Sequence, residues 1–366
     1  MSESFDIVVV GSGAAGIAAA IAAARAGCTT LIMDARSAAG GTGGFSGLTT
    51  LCGLHTEHGQ FLNDCFSREF AEALMREDGV AGPTRMGRVF VQLYRPGSFQ
   101  KVAARLLAAE PLVSPRWNAP LREVRLDARR IGSLNGVQVG AVIDCSGNAE
   151  VGRAAGEQLL ATDDTTQAPS VVVPLENVER DLSTPLAVAQ VLLALSHAGL
   201  PPVTFMPCAE AGVVALKFAG QPDEVPRLLK FLRDHVSGFQ RCQTAQTEFP
   251  LARRAGTMIV GRHLLTGDDV LGARKFPDAV ARGCWPVEQW PADGRPRLRH
   301  LPPGEHYEIP ARSLRAARTE NLFMAGKSLS ADEEAVASAR VMGCCLATGA
   351  AAGQLAASYV SSARIQ

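Results

Sequence analysis

The chain has no surplus of either charge: 36 Lys and Arg balance 36 Asp and Glu. Bulk electrostatics therefore give it no pull toward nucleic acid or an anionic membrane surface. It also lacks a run of 18 or more apolar residues free of glycine and charge, so no membrane-spanning helix is expected. Its nine cysteines include no C-x-x-C pair, and the adjacent Cys344 and Cys345 point to different sides of a helix. No basic segment precedes the apolar N-terminus, where Glu3 and Asp6 stand instead, which disfavours an export signal. Reduced thiols in a cytoplasm are the expectation. Metal-ligand spacing is missing too: His55 and His58 lie in a glycine-rich loop with no matching second pair, so no metal is expected. What remains is 366 residues, 47% hydrophobic and 20% charged, an ordinary globular composition with room for two domains.

The most informative stretch is the first. Asp6 to Val10 reads as a buried parallel strand, and Gly11, Gly13 and Gly16 follow as G-x-G-x-x-G. The first glycine permits a tight turn, the second lets backbone approach a pyrophosphate, and the third lets helix pack on strand. An alanine-rich helix runs from Ile17 to Ala26 and stops at Gly27. A second strand, Thr29 to Met33, ends in Asp34, an acidic residue placed for ribose hydroxyls. This pattern predicts an adenine dinucleotide, NAD or FAD.

Further along, Gly40 to Gly47 has almost no side chains and reads as a loop able to lie flat on a ligand. Helices are expected over 66–77 and 99–109, and a third parallel strand at Leu112 to Ser114. Leu121 to Leu126 and Ile131 to Val139 alternate as a small antiparallel meander, broken at Leu134-Asn135-Gly136. Ala141 to Cys145 is a further buried strand, ending in Ser146-Gly147-Asn148. Residues 160–250 change character, with a strand at Val171 to Val173 and helices at Leu186 to Leu195 and Glu224 to His235. Residues 251–300 are basic and turn-rich, with Trp285 and Trp290 bracketing Pro286 and Glu288. Tyr307 to Pro310 is extended. Asn321 to Gly326 is a last strand, Lys327 to Val341 a loop, and Met342 to Tyr359 a helix whose small residues suit close packing against a sheet.

Together these blocks resemble the bacterial FAD-dependent oxidoreductases of the glutathione-reductase-like two-domain fold. The resemblance is carried by the N-terminal glycines with Asp34, the Gly40–Gly47 run, Val142 to Glu150, Val260-Gly261 through Asp269, Tyr307 to Pro310, and Asn321 to Gly326 with the final helix. It implies an α/β fold: a Rossmann-like FAD-binding domain, with a central parallel sheet and a β-meander, and a second, mixed α+β substrate domain. The boundaries expected are 1–160 with 300–366 for the first and 161–299 for the second. By the same resemblance, Gly11, Gly13, Ala14, Ala15 and Gly16 hold the FAD pyrophosphate. Asp34, with Ala35 and Arg36 beside it, holds the adenosine ribose. Gly41 and Thr42 line the ribityl and phosphate path, Gly147 closes the adenine side, and Gly326 and Asp332 approach the ribityl chain. Val341 and Met342 face the flavin pyrimidine. Asp34 replaces the Glu of many relatives.

The expected activity is transfer of a hydride from a small organic substrate to non-covalently held FAD, with O2 or a carrier as final acceptor and neither nucleic acid nor membrane as partner. A base is needed with a pKa near the working pH, and His55 and His58 are the candidates, because their loop follows the glycine run. Cys52 lies nearby as a thiol able to touch the flavin, its more ordinary role being a buried packing group. One G-x-G-x-x-G and no cysteine pair argue against a disulfide reductase. The absence of G-W-x-W-x-I-P argues against a halogenase, and Ala325-Gly326-Lys327 in place of Gly-Asp-Ala argues against an aromatic hydroxylase. A carbon–carbon desaturase or reductase is the alternative, and a non-catalytic dinucleotide-binding protein the distant one. An RNA-modifying flavoprotein would need a basic face, for which only Arg253 to Arg274 offers a local patch.

Overall fold

The computed structural model describes residues 3–365. Strand β1 (Ser4–Val10) is buried from Ile7 onward because it is central in its sheet. It pairs in parallel with β2 (Thr30–Met33) on one side and with Val137–Asp144 on the other. Beyond β2 lies Val113–Arg116, also parallel. Along the far edge of Val137–Asp144, the strand Arg130–Leu134 pairs antiparallel at its start and Leu322–Met324 pairs parallel at its end. Val124–Asp127 completes the meander. The registers set Val10 beside both Met33 and Asp144, and Met324 beside Asp144. The carboxyl ends of these strands therefore open on one crevice, where open α/β sheets bind ligands.

Helix α1 (Ala14–Arg25) is almost wholly buried. It packs along the last helix, Met342–Ile365, and both helices lie against the sheet. That last helix packs on the sheet, as the sequence suggested, and its glycines also bring it close to α1. A Cβ on Gly349 would stand 2.1 Å from the Ala15 carbonyl oxygen, and one on Gly353 2.4 Å from that of Ala19. Backbone thus meets backbone. No single helix among the described residues is long and apolar enough to cross a membrane.

A second core lies apart from the first. Its three-stranded antiparallel sheet has Val214–Ala219 between Ser170–Leu175 and Val203–Pro207. Val173, Leu216 and Phe218 pack there against Leu228 and Leu232 of the helix Val225–His235 and against Val191 and Leu195 of Pro185–His197.

Two segments differ from expectation. The glycine run is not a flat loop: Gly41–Phe45 forms a short helix. Its missing side chains make room for neighbours, since a Cβ on Gly43 would lie 2.7 Å from the Phe99 ring and 2.8 Å from Met342 Sδ. Within 327–341, residues Glu333–Ala339 form a helix rather than a loop. Asp332 is its N-cap, accepting the Ala335 amide at 2.8 Å, and two acidic residues occupy its first turn.

Candidate functional site

A cavity of about 790 Å³ runs from the strand ends of the main sheet to the second sheet. Its outer end is the turn after β1. Gly11 has φ +98, and a Cβ there would stand 2.4 Å from the Cys145 carbonyl oxygen, so the turn presses directly on the neighbouring strand. Gly13 differs: a Cβ on it would meet nothing nearer than Gly41 Cα at 3.8 Å. The first turn of α1 has neither a side-chain cap nor an acidic residue, and Ala14 and Ala15 border the cavity. An uncapped helix start with open space before it suits an anion. At the end of β2, Asp34 Oδ2 accepts the Ser12 amide at 2.7 Å and the Ser12 hydroxyl at 2.8 Å, while Oδ1 accepts the Arg36 amide at 2.9 Å. The carboxylate thus ties the glycine turn to β2.

Opposite stands the turn after Asp144. Gly147 borders the cavity beneath Lys327, whose Nζ donates to the carbonyls of Arg253 (3.3 Å) and Ala255 (3.4 Å). Burial, helped by the charge of Arg340, pushes the Lys327 pKa down to about 8. Farther in, Val341 and Met342 border the cavity at the start of the last helix, where the Gly343 amide donates to the Cys52 carbonyl at 2.8 Å.

The inner wall is charged and aromatic. The Glu288 carboxylate accepts indole N–H bonds from Trp285 (2.8 Å) and Trp290 (2.6 Å). Burial opposes its ionisation, but the charges of Lys217 and Arg340 and the two indole bonds outweigh it, so its pKa lies below the usual carboxylate value. Lys217 Nζ lies 4.1 Å from the Trp290 ring centroid, and the Arg254 guanidinium carbon 4.3 Å. Burial lowers the Lys217 pKa to about 8 against the opposing pull of Glu288. The Cys52 thiol is pushed up to about 12 by burial, so it stays protonated.

Most residues expected at a dinucleotide border this cavity: Gly11, Gly13, Ala14, Ala15, Asp34, Ala35, Arg36, Gly41, Thr42, Gly147, Gly326, Val341 and Met342. Four do not. Gly16 lies beneath the turn, where a Cβ would be 1.8 Å from the Gly11 carbonyl oxygen. Asp332 is spent on capping, and its other oxygen accepts the Gly267 amide at 3.0 Å. His58 is exposed beside Glu57. His55 is 4% exposed, against the Phe61 ring, with both ring nitrogens buried and unpartnered. The inner wall was missed from sequence. Its one signal was the pairing of two of the chain's three tryptophans around Glu288.

Burial pushes the His55 pKa from 6.5 down to about 4. Below the upper value the unfolded chain takes up a proton that the folded chain refuses. Stability therefore falls as pH drops from 6.5 toward 4 and levels off below. Between about pH 7 and about pH 5 this group should remove about 1–2 kcal/mol. Denaturant midpoints at both pH values should show a smaller difference for His55→Phe than for the wild type; equal differences would remove His55 as the cause.

The sequence matches the family model described as FAD dependent oxidoreductase over residues 6–191 and 213–365. Among solved structures it is similar to a geranylgeranyl bacteriochlorophyll reductase-like protein from Thermoplasma acidophilum, with 16% identity, covering 99% of this chain and 79% of that one at a TM-score of 0.51. It is similar also to the flavin-dependent brominase Bmp2, with 13% identity, covering 98% and 80% at a TM-score of 0.52. At such identities the likeness speaks for the fold alone. No curated protein sequence matches this chain.

Proposed function

The chain belongs to the FAD dependent oxidoreductase family, and from that premise we propose that it oxidises a small organic substrate by hydride transfer, as an oxidase or dehydrogenase. FAD, when bound, supplies the two-electron acceptor. The observation that carries this reading is one continuous cavity, which joins an anion-suited helix start to a charged aromatic wall. On this reading the α1 start, from Gly13 to Ala15, holds the pyrophosphate, and Asp34 to Arg36 the adenosine end. Gly147 stands at the adenine side, with Gly41, Thr42 and Gly326 along the ribityl path and Val341 and Met342 at the pyrimidine edge. The positive end of the last helix would favour negative charge there.

The substrate lies between that edge and the inner wall. Lys217, Arg254, Arg340 and Glu288 orient it, and the two tryptophans exclude water. Lys217 and Glu288 are the ionisable groups at this end in place of the expected histidines, and His300 borders only the exposed rim. A protonated Cys52 favours non-covalent cofactor. A protein that merely stored a dinucleotide would have no use for such a wall.

Purified protein should be yellow, and its flavin absorbance should bleach when substrate is added without air, then return on aeration or with an artificial acceptor. Screening alcohols, amines and hydroxy acids in this way identifies the donor. If bleaching came from NADH alone and from no organic donor, the chain would be a reductase or monooxygenase instead.

A further inference from the structure

The charges on the inner wall do not balance. Lys217, Arg254 and Arg340 surround one carboxylate, Glu288, which leaves an excess of two positive charges. None of the three cations comes within ion-pair distance of a carboxylate among the described residues. Arg254 donates to the Ala168 carbonyl (2.6 Å) and the Ser170 hydroxyl (3.0 Å), and Arg340 to Gln167 Oε1 and the Glu288 main-chain carbonyl (both 3.1 Å). These acceptors are neutral, so they orient the guanidinium groups without cancelling their charge. Arg340 Nε is buried without any partner. Lys217 has only the face of Trp290 beneath it.

Placement explains why Lys217 faces the cavity. On the central strand Val214–Ala219, its neighbours Leu216 and Phe218 point into the second core, so Lys217 points the other way. Thr204, its cross-strand partner, borders the same cavity. Desolvated cations without counter-charge are costly, and a site that keeps several of them is completed by an anion. The phosphates of the cofactor do not supply it, since they have their own place at the start of α1.

We propose that Lys217 and Arg254, packed on Trp290, bind an oxyanion on the substrate, a carboxylate or a phosphate ester, with Arg340 adding charge beside them. This rests on the reading that FAD occupies the glycine end of the same cavity. The oxyanion anchors the substrate at the wall, and the remainder of the molecule extends toward Val341 and Met342. Neutral alcohols and amines would lack that anchor.

Flavin absorbance of the holoprotein tests this with benzoate, phenyl phosphate and neutral benzamide. At least one of the two anions should perturb the spectrum saturably, the amide should not, and rising sodium chloride should weaken the anion's binding. Which anion binds separates carboxylate from phosphate. Lys217→Met should weaken that binding at least tenfold with flavin content unchanged, and the charge-keeping Lys217→Arg should restore most of it. The proposal is overturned if neither anion perturbs the flavin, if benzamide acts as strongly, or if Lys217→Met binds the anion as the wild type does. It is overturned too if Lys217→Met shifts only the flavin midpoint potential, since the charge would then serve the cofactor. Should the variant fold poorly, the wild type alone still decides: anion binding that ignores added salt overturns the proposal equally. Failure of the FAD reading is distinct, for the protein would be colourless before any titration began.

Discussion

Gly13→Ala should fold normally and lose its flavin. Gly13 has φ −74 and ψ −172, extended backbone that alanine adopts freely. An added Cβ would clear every protein atom by 3.8 Å or more, because the space beside Gly13 is the cavity itself. The methyl group therefore occupies volume that only a ligand could fill. Overpacking of this kind costs about 3 kcal/mol at its upper range, roughly a hundredfold in Kd. Neighbouring glycines give the control. A Cβ on Gly11 would stand 2.4 Å from the Cys145 carbonyl oxygen and one on Gly16 1.8 Å from that of Gly11, so alanine at either position should damage the fold. Flavin retention on gel filtration, measured beside the thermal midpoint of the flavin-free protein, separates the two cases. A Gly13→Ala protein that keeps its flavin would move the pyrophosphate away from this turn.

That contrast shows how much of the site could be read from the sequence. The outer glycines of G-x-G-x-x-G were legible because backbone geometry alone demands them: a left-handed turn at Gly11 and close contact at Gly16 admit no side chain. The central strands of the main sheet were legible for a similar reason, since burial on both faces leaves continuous apolar runs. The inner wall was not legible. Lys217, Arg254, Glu288 and Arg340 come from four separated stretches, and long-range pairings bring them together: Ser170–Leu175 with Val214–Ala219, Ser170 with Ala252, and Gln167 with Trp290. Nothing local marks Lys217 as different from any lysine on an alternating strand. His55 and His58 lie off the cavity for the opposite reason. Their loop does follow the glycine run, but the bridge between His55 and Phe61 closes it into a small packed turn, so closeness in sequence did not become closeness to the cavity.

Asp144→Ala should instead cost the protein much of its stability, bound flavin or not. The turn after Val137–Asp144 was expected at the cofactor, and Gly147 does border the cavity, but Asp144 itself has 0% exposure and faces inward. One oxygen accepts the Ser146 amide (3.0 Å), the Ser146 hydroxyl (2.7 Å) and the Ser328 hydroxyl (3.2 Å). The other accepts the amides of Val151 (2.9 Å) and Gly152 (3.2 Å), at the start of the helix Glu150–Ala154. A single carboxylate thus gathers the mid-chain turn, the helix after it and the Gly326–Ser328 turn. Alanine would leave buried donors unmatched, and a loss of about 3 kcal/mol or more is expected. The substitution Asp144→Asn should fall between, because the amide NH2 group can replace neither the charge nor the second acceptor. Chemical denaturation of the flavin-free protein measures this directly, and wild-type stability in Asp144→Ala would refute it. Set beside Gly13→Ala, the pair divides the cavity's support from its contents: one variant should lose cofactor with the scaffold whole, and the other should lose the scaffold that holds the cofactor.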